Sequence, residues 1–363
     1  MTAATTPSER PVPGARRPLV LLALATLASA GTCVRSPSLA PAPTGAATSS
    51  PSSSTSPPPP AWLRPPPGPW RMPERAACAG AYTSLVAQGA LGDARLLEAS
   101  GIVASAAQPG VLWLHNDSGD AARLYAVGTD GRALGALTLP DVVAIDVEDI
   151  ATAPCPDLTS SCLYVADTGD NKLRREQLVV YAVPEPAVAP GQPLAASAAA
   201  PFVWAFPLIV PERANIEALV VLPDASAMIL YEKTEGEAAR VFRYPAPWTP
   251  LIAAKVEVSG SVAVPAGAGP LRQITGADLH PSGARLLLRG YGAVWEVLLD
   301  AAAGVTADHL DAATLTEVLV TVDEPQGEAV AYDEAGTGIW TVSESPSGEA
   351  GPPLRLAACA ATP

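Results

Sequence analysis

Asp146-Val-Glu-Asp-Ile-Ala151, followed after a turn by Leu163-Tyr-Val-Ala-Asp-Thr-Gly-Asp-Asn171, is the stretch on which the reading of the fold depends. An acidic residue opens an apolar run, a turn follows, and a second apolar run ends in polar residues. Both runs are rich in Val, Ile, Leu and Tyr, are bounded by Gly, Pro, Asp and Ser, and lack the period of an amphipathic helix, so both read as β-strands. The same signature recurs four more times. Glu98-Ala-Ser-Gly-Ile-Val-Ala precedes Val111-Leu-Trp-Leu-His-Asn-Asp-Ser-Gly-Asp120, and Asn215-Ile-Glu-Ala-Leu-Val220 precedes Met228-Ile-Leu-Tyr-Glu-Lys233. Thr275-Gly-Ala-Asp-Leu279 precedes Arg285-Leu-Leu-Leu-Arg289, and Gly327-Glu-Ala-Val-Ala331 precedes Ile339-Trp-Thr-Val-Ser-Glu344. The copies start roughly 50 to 70 residues apart, the spacing of four-stranded propeller blades with some long loops.

Each of the first four gaps holds two more strand candidates, at 123–127 and 133–139, 179–183 and 202–209, 240–244 and 255–262, and 293–298 and 315–322. The fifth copy has room for one, at 354–358. Residues 81–87 precede the first copy as an outer strand would, so the N-terminus completes the last blade. The predicted fold is therefore all-β, a β-propeller of five four-stranded blades closed by an N-terminal strand; a degenerate copy would raise the count to six or seven. Closure puts Cys78 and Cys359 on adjacent strands, within the roughly 7 Å a disulfide spans. Cys155 and Cys162, flanking a Pro-Asp turn, form the second predicted pair.

The chain has 363 residues, net charge −14 and 40 prolines, 13 of them within residues 34–73. That stretch reads as a Pro/Ser-rich spacer, between an export segment at 1–33 and the propeller at 74–363. The export segment has a basic start ending in Arg16-Arg17, an apolar run from Leu19 to Leu27, too short to span a bilayer, and small residues Ala28-Ser29-Ala30. Two fates stand for it: lipidation of Cys33, which follows Ala30-Gly31-Thr32, or ordinary cleavage. Export permits disulfides and predicts the cell envelope, the periplasm or the outside of the cell, with membrane contact only through a lipid anchor. With residues 1–60 set aside, 18 basic and 35 acidic residues remain, which excludes nucleic acid as a partner. A monomer is expected.

In a blade the innermost strand pairs antiparallel with the second, so the start of one lies beside the end of the other. The signature puts polar residues at those two places, and a scattered pattern becomes one cluster at one mouth of the central channel. Its members are Glu98, Asn116, Asp117, Asp120, Asp146, Glu148, Asp149, Asp167, Asp170, Asn171, Glu217, Glu232, Asp278, Glu328 and Glu344. Carboxylates sharing one concavity repel each other unless they bind a cation or hold protons. Oxygen ligands without thiolate or imidazole favour calcium, with magnesium second. The candidate ligands are Asp117, Asp120, Glu148, Asp149, Asp167 and Asp170. Asn116, Asn171, Lys233 and Arg289 are the candidate substrate contacts, and Glu217 and Glu328 the candidate general bases. His280-Pro-Ser-Gly283 reads as a turn at the far end of its strands, and His115 as a buried neighbour of Asn116.

The strings at 115–120 (His-Asn-Asp-Ser-Gly-Asp), 146–151, 166–171 (Ala-Asp-Thr-Gly-Asp-Asn), 181–186 (Tyr-Ala-Val-Pro-Glu-Pro) and 327–333 (Gly-Glu-Ala-Val-Ala-Tyr-Asp) resemble a group of exported bacterial propeller proteins without an assigned activity. More distantly, the acid-opened inner strands look like those of phytase-like esterase propellers and of calcium-dependent lactonase and phosphotriesterase propellers. That resemblance implies a calcium ion polarising an ester or phosphate oxygen at the channel mouth. A set of phosphate-binding Lys and Arg around the acidic loops is lacking, which counts against phytase chemistry. The sequence has no Gly-x-Ser-x-Gly, His-Glu-x-x-His, Gly-Lys-Ser/Thr loop or Gly-x-Gly-x-x-Gly, disfavouring serine hydrolases, zinc proteases, P-loop NTPases and dinucleotide folds. Three readings remain: a metal-dependent esterase, lactonase or phosphoesterase-like hydrolase, a non-catalytic propeller binding a small ligand or surface partner, and a purely structural surface protein.

Overall fold

The inner strands are apolar without alternation because both their faces are covered. β2 (Ala99–Ala104) and β3 (Val111–Asn116) are buried almost throughout, as are β6 (Val147–Pro154) with β7 (Ser161–Asp167), and β10 (Ile216–Val221) with β11 (Ala227–Glu232). The same holds for β15 (Ile274–Leu279) with β16 (Arg285–Gly290), and for β19 (Gly327–Tyr332) with β20 (Gly338–Ser343). The outer strands β1 (Val86–Ala90) and β18 (Thr316–Val320) are mostly exposed, and β14 (Glu257–Ala263) is exposed over its first three residues. In this computed structural model, residues 69–188, 194, 198–235, 238–263, 273–299, 310, 314–320, 324–345 and 351–360 are described. The expected export segment, Cys33 and nearly all of the spacer lie outside the described residues.

Five sheets result, each with four antiparallel strands. The first blade adds β4 (Arg123–Gly128) and β5 (Ala133–Thr138), the second β8 (Leu178–Pro184) and β9 (Trp204–Ile209), the third β12 (Ala238–Pro245) and β14. The fourth adds β17 (Ala293–Leu298) and β18, and the fifth β21 (Pro353–Ala358) and β1. Inner strands β2, β6, β10, β15 and β19 neighbour one another in that order, with β19 returning to β2, so the sheets form a five-bladed propeller. β1 pairs with β21, and Cys78 bonds to Cys359, so the N-terminal strand closes the ring as expected. That strand lies at 86–90, later than the 81–87 expected, because the earlier residues contribute only a single bridge from Tyr82 to Cys359. The second disulfide joins Cys155 and Cys162 across the β6–β7 turn. Both bridges belong to a non-reducing environment.

One strand divides differently from the sequence reading. The run expected at 255–262 breaks, and β13 (Ala254–Lys255) pairs in parallel with β9 in the second blade before β14 begins in the third.

Five buried apolar clusters occupy the five spaces between neighbouring blades. Trp113 fills the space between the first and second, Trp295 that between the third and fourth, and Trp340 that between the fifth and first. Truncating such a side chain to Ala costs about 3–5 kcal/mol. The core is thus distributed around the ring, and the axis is left to polar side chains.

Candidate functional site

One irregularity repeats in all five inner pairs. The register between first and second strand skips a residue at the top of each inner strand, leaving Ser100, Glu148, Glu217, Thr275 and Glu328 unpaired in five equivalent β-bulges. A bulge re-aims the side chain it carries. Two of the five are neutral and turn to the next blade: Ser100 donates its hydroxyl to Glu148 O at 3.0 Å, and Thr275 to Gly327 O at 3.1 Å. The other three are glutamates. Beside them stand the second-strand ends, tied by one backbone contact that recurs around the ring: Asp117 N to Glu98 O at 2.9 Å, Lys233 N to Asn215 O at 2.9 Å, and Glu344 N to Gln326 O at 3.0 Å.

Carboxylate oxygens of Asp117, Asp146 and Glu148 all lie within 4.8 Å of one another. Glu148 is almost fully buried, yet its Oε1 has no hydrogen-bond partner, and neither does the buried Oδ1 of Asp117. Burial, reinforced by the neighbouring charges of Glu217, Asp117, Asp146 and Glu328, pushes the Glu148 carboxyl well above the carboxylate range. The Asp117 carboxyl is pushed up to about 8, first by burial and then by Asp146, Glu328 and Glu217. Gly169, in the Asp-Thr-Gly-Asp loop, faces this cluster. A Cβ there would collide with Glu148 Oε1 and Asp146 Oδ2, so a larger residue would have to displace those carboxylates.

Across the mouth the carboxylates have partners. Glu217 accepts from Asn215 Nδ2 at 2.7 Å and from Lys233 Nζ at 3.0 Å. Burial disfavours the Lys233 charge, but Glu217 more than offsets this and holds the ammonium above its ordinary pKa. The ammonium also lies 5.0 Å from the centre of the Tyr291 ring. Glu344 hydrogen-bonds to the Glu328 carboxyl, and burial with the Glu328 charge pushes it up to about 9. Glu328 is therefore paired with a carboxylic acid at neutral pH.

Of the other expected ligands, the structure gathers none into this cluster. The Asp149 carboxylate runs under the mouth, accepting Ile150 N at 2.9 Å, Leu219 N at 2.8 Å and Ala277 N at 3.2 Å. Asp167 ties two loops together, accepting Ile145 N at 3.2 Å, Asp146 N at 3.1 Å and the Arg175 guanidinium at 2.8 Å. Asp170 accepts Arg174 N and Arg175 N, each at 2.8 Å. Asp120 is engaged by Arg123, Tyr125 and Asn116. The last three satisfy donors of their own loops and turns, whereas Asp149 ties together strands of three blades.

The expected substrate contacts divide similarly. Lys233 is at the mouth. Asn116 anchors the start of β2, accepting Leu97 N and Glu98 N at 3.1 Å each. Asn171 accepts from Asn215 Nδ2 at 3.1 Å. Arg289 is fully buried, bonded to Glu324 and donating to Ala329 O at 3.0 Å, while its Nε has no partner. Glu324 comes from a loop outside every repeated copy.

Of the remaining acidic residues, Glu232 pairs with Arg240 at 2.6 Å, and Asp278, pushed up to about 7 by burial, accepts Tyr332 N at 2.7 Å. Glu98 stands at the rim next to Asn116. His115 is buried and held down to about 4 by desolvation, as a core neighbour of Asn116. His280 forms the expected far-end turn with Ser282, and its Nε2 donates to Ala76 O of the N-terminal segment at 3.0 Å. Asp146, expected in the cluster but not among the ligands, enters the three-carboxylate group, and Tyr291 enters the site without having been singled out. Asp146 had a signal, since it holds the position of Glu98 and Asn215 in their copies, whereas Tyr291 follows its strand in a turn and had none.

No family model matches the chain, and no curated protein matches it. Among solved structures, a putative 6-phosphogluconolactonase from Bacteroides uniformis aligns with 71% of this chain at 13% identity and TM-score 0.35. Raptor from Chaetomium thermophilum aligns with 78% of this chain at 10% identity and TM-score 0.39. The alignments span 66% of the lactonase chain and 29% of Raptor. At these levels neither bears on activity.

Proposed function

We propose that the channel mouth binds a divalent cation, calcium by preference, on Asp117, Asp146 and Glu148, and hydrolyses a small ester, lactone or phosphoester there. The observation that carries this reading is the pair of buried carboxylate oxygens, Glu148 Oε1 and Asp117 Oδ1, left without partners inside a three-carboxylate cluster. Buried polar atoms without partners cost about 1–3 kcal/mol each and are rare. A cation of matching hardness removes that cost, and carboxylate oxygens are the ligands calcium takes. When bound, such an ion polarises a carbonyl or phosphoryl oxygen.

The residues opposite suit the rest of the reaction. Glu217 has both oxygens occupied and serves to fix Lys233, whose ammonium balances negative charge developing on the substrate. Glu328, beside protonated Glu344, is then the general base that takes a proton from the attacking water, and Glu344 stabilises the base by its hydrogen bond.

A calcium titration of thermal stability with the full chain tests the site, because an ion bound only by the native state raises the melting temperature. Calcium is expected to raise it, and a chelator to abolish calcium-dependent hydrolysis of an ester and lactone panel. Hydrolysis that persists unchanged in chelator rules out the metal-hydrolase reading. A melting temperature indifferent to calcium and magnesium rules out the ion site itself.

A further inference from the structure

The charges at the mouth do not cancel. Lys233 is offset by Glu217 at 3.0 Å, and Glu344 carries a proton beside Glu328. A divalent ion on Asp117, Asp146 and Glu148 meets three carboxylates and leaves one negative charge over. Among the described residues no cation is paired with Glu328 or Glu98. On the side of the first blade, Arg95 is held by Asp93 at 2.6 Å and Arg123 by Asp120 at 2.8 Å. Beside Glu98 lies a groove of about 380 Å³, within the roughly 300–1,000 Å³ of small-molecule sites. Glu98, Asn116 and Ser118 give it a polar lining, and Ala94 with the partly exposed Leu97 an apolar one. Two links join it to the mouth. Asp117 stands between Asn116 and Ser118 in the chain and turns its carboxylate into the ion cluster, where Glu148 Oε1 is left without a partner. Ser345 N donates to Leu97 O at 3.4 Å, which brings Glu344 against the groove, and the Glu98 charge acts on the Glu344 carboxyl.

We propose that this groove seats a positively charged group, and that the ligand of the mouth is an alkylammonium compound, with its ester at the ion and its cationic end at Glu98. The assignment rests on the hydrolytic reading above for the ester end only. The cationic end follows from the charges. Even with the ion bound, the mouth attracts cations and repels a phosphate or carboxylate, and a concavity walled by protein focuses that potential. The lining of the groove agrees: Glu98 supplies the counter-charge, while Ala94 and Leu97 suit the carbon atoms around an ammonium nitrogen.

The test uses the full chain in calcium at low ionic strength, and follows acid release from two esters of nearly equal shape, acetylcholine and its uncharged isostere 3,3-dimethylbutyl acetate. For the wild type, kcat/KM should favour acetylcholine by at least about tenfold, the lower end of what a focused potential supplies. The preference should shrink in about 0.5 M sodium chloride, which screens exposed charges. Glu98 is exposed and bonds through its backbone to Asn116 and Asp117, so Glu98→Gln leaves the fold intact. That variant should lose most of the preference, whereas Glu317→Gln, on the outer strand β18, should keep it. Binding without turnover is read separately: choline should raise the melting temperature more than 3,3-dimethyl-1-butanol does, and Glu98→Gln should lose the difference. Equal rates and equal shifts for the charged and uncharged compounds overturn the inference while leaving the hydrolytic reading standing. A choline shift that Glu98→Gln removes, with no hydrolysis of any ester, supports the groove and sinks the hydrolytic reading. A choline shift seen in chelator and abolished by calcium puts the ammonium in the ion site and overturns the inference.

Discussion

The mouth of the channel and the layer directly beneath it are both built on carboxylates, and adjacent residues illustrate the difference. Asp149 spans the axis beneath the mouth and receives three backbone N–H groups from three strands. Glu148, one residue earlier, is equally buried and leaves Oε1 without a partner. Burial raises the pKa of both, but for Asp149 the N–H donors oppose it, while for Glu148 the neighbouring carboxylates add to it. The carboxyl oxygens of one layer are taken up in holding blades together. Those of the other stay available, at a cost in stability, which is where a ligand is to be sought.

That comparison can be broken by substitution. Asp149→Ala should have the largest effect, about 3 kcal/mol or more in urea unfolding, because it strands buried N–H donors on two other blades as well as its own. Asp149→Asn, which keeps an acceptor, should cost less. Glu148→Gln should do the opposite in chelator, leaving stability equal or higher by relieving repulsion, and should remove most of the calcium-induced rise in melting temperature. If the two substitutions behave alike, the division between a structural and an available layer fails.

A pH series sharpens it further. Burial and neighbouring carboxylates push Asp117 up to about 8 and Glu344 up to about 9 in the native state, from ordinary values of 3.8 and 4.5. Between those limits the native state holds protons that the unfolded chain has lost, so stability falls as pH rises. The contribution is complete below about pH 4 and gone above about pH 9. In chelator the melting temperature should therefore decline from about pH 5 to pH 9, and calcium should flatten the decline by taking the place of the protons. The smallest effect belongs to Asp170→Ala, about 1 kcal/mol from the two lost hydrogen bonds to Arg174 N and Arg175 N of its own loop. Its calcium response should stay that of the wild type, since the carboxylate serves its own loop.

The blades were legible because each carries the same signature, and the disulfides because ring closure brings Cys78 beside Cys359. The cluster was legible as a group for the same reason: polar residues at the start of one strand and the end of its partner must meet. Which carboxylates stay available was not. Glu148 and Asp149 are equivalent in composition, and only the bulge that unpairs Glu148 and the donors on Leu219 and Ala277 separate them. The loops misled for a related reason. Asp-x-Gly-Asp supplies a good turn and a good ligand alike, and Asp120 and Asp170 are consumed by the turn's own donors. Arg289 ends its strand as Lys233 does, but its burial depends on Glu324, whose segment belongs to none of the copies.

The strand that closes the ring has a consequence for how the molecule comes to exist. The partner of β1 is β21, and Cys78 and Cys359 are 281 residues apart in the chain. Translation delivers β1 first and β21 last, so for nearly the whole of synthesis the first strand made has no sheet to join. Pairing across that separation is among the slowest kinds of contact to form. The fifth blade is consequently the last to assemble, and because the mouth takes Glu328 and Glu344 from it, the site becomes whole only when the two ends of the polypeptide have found each other.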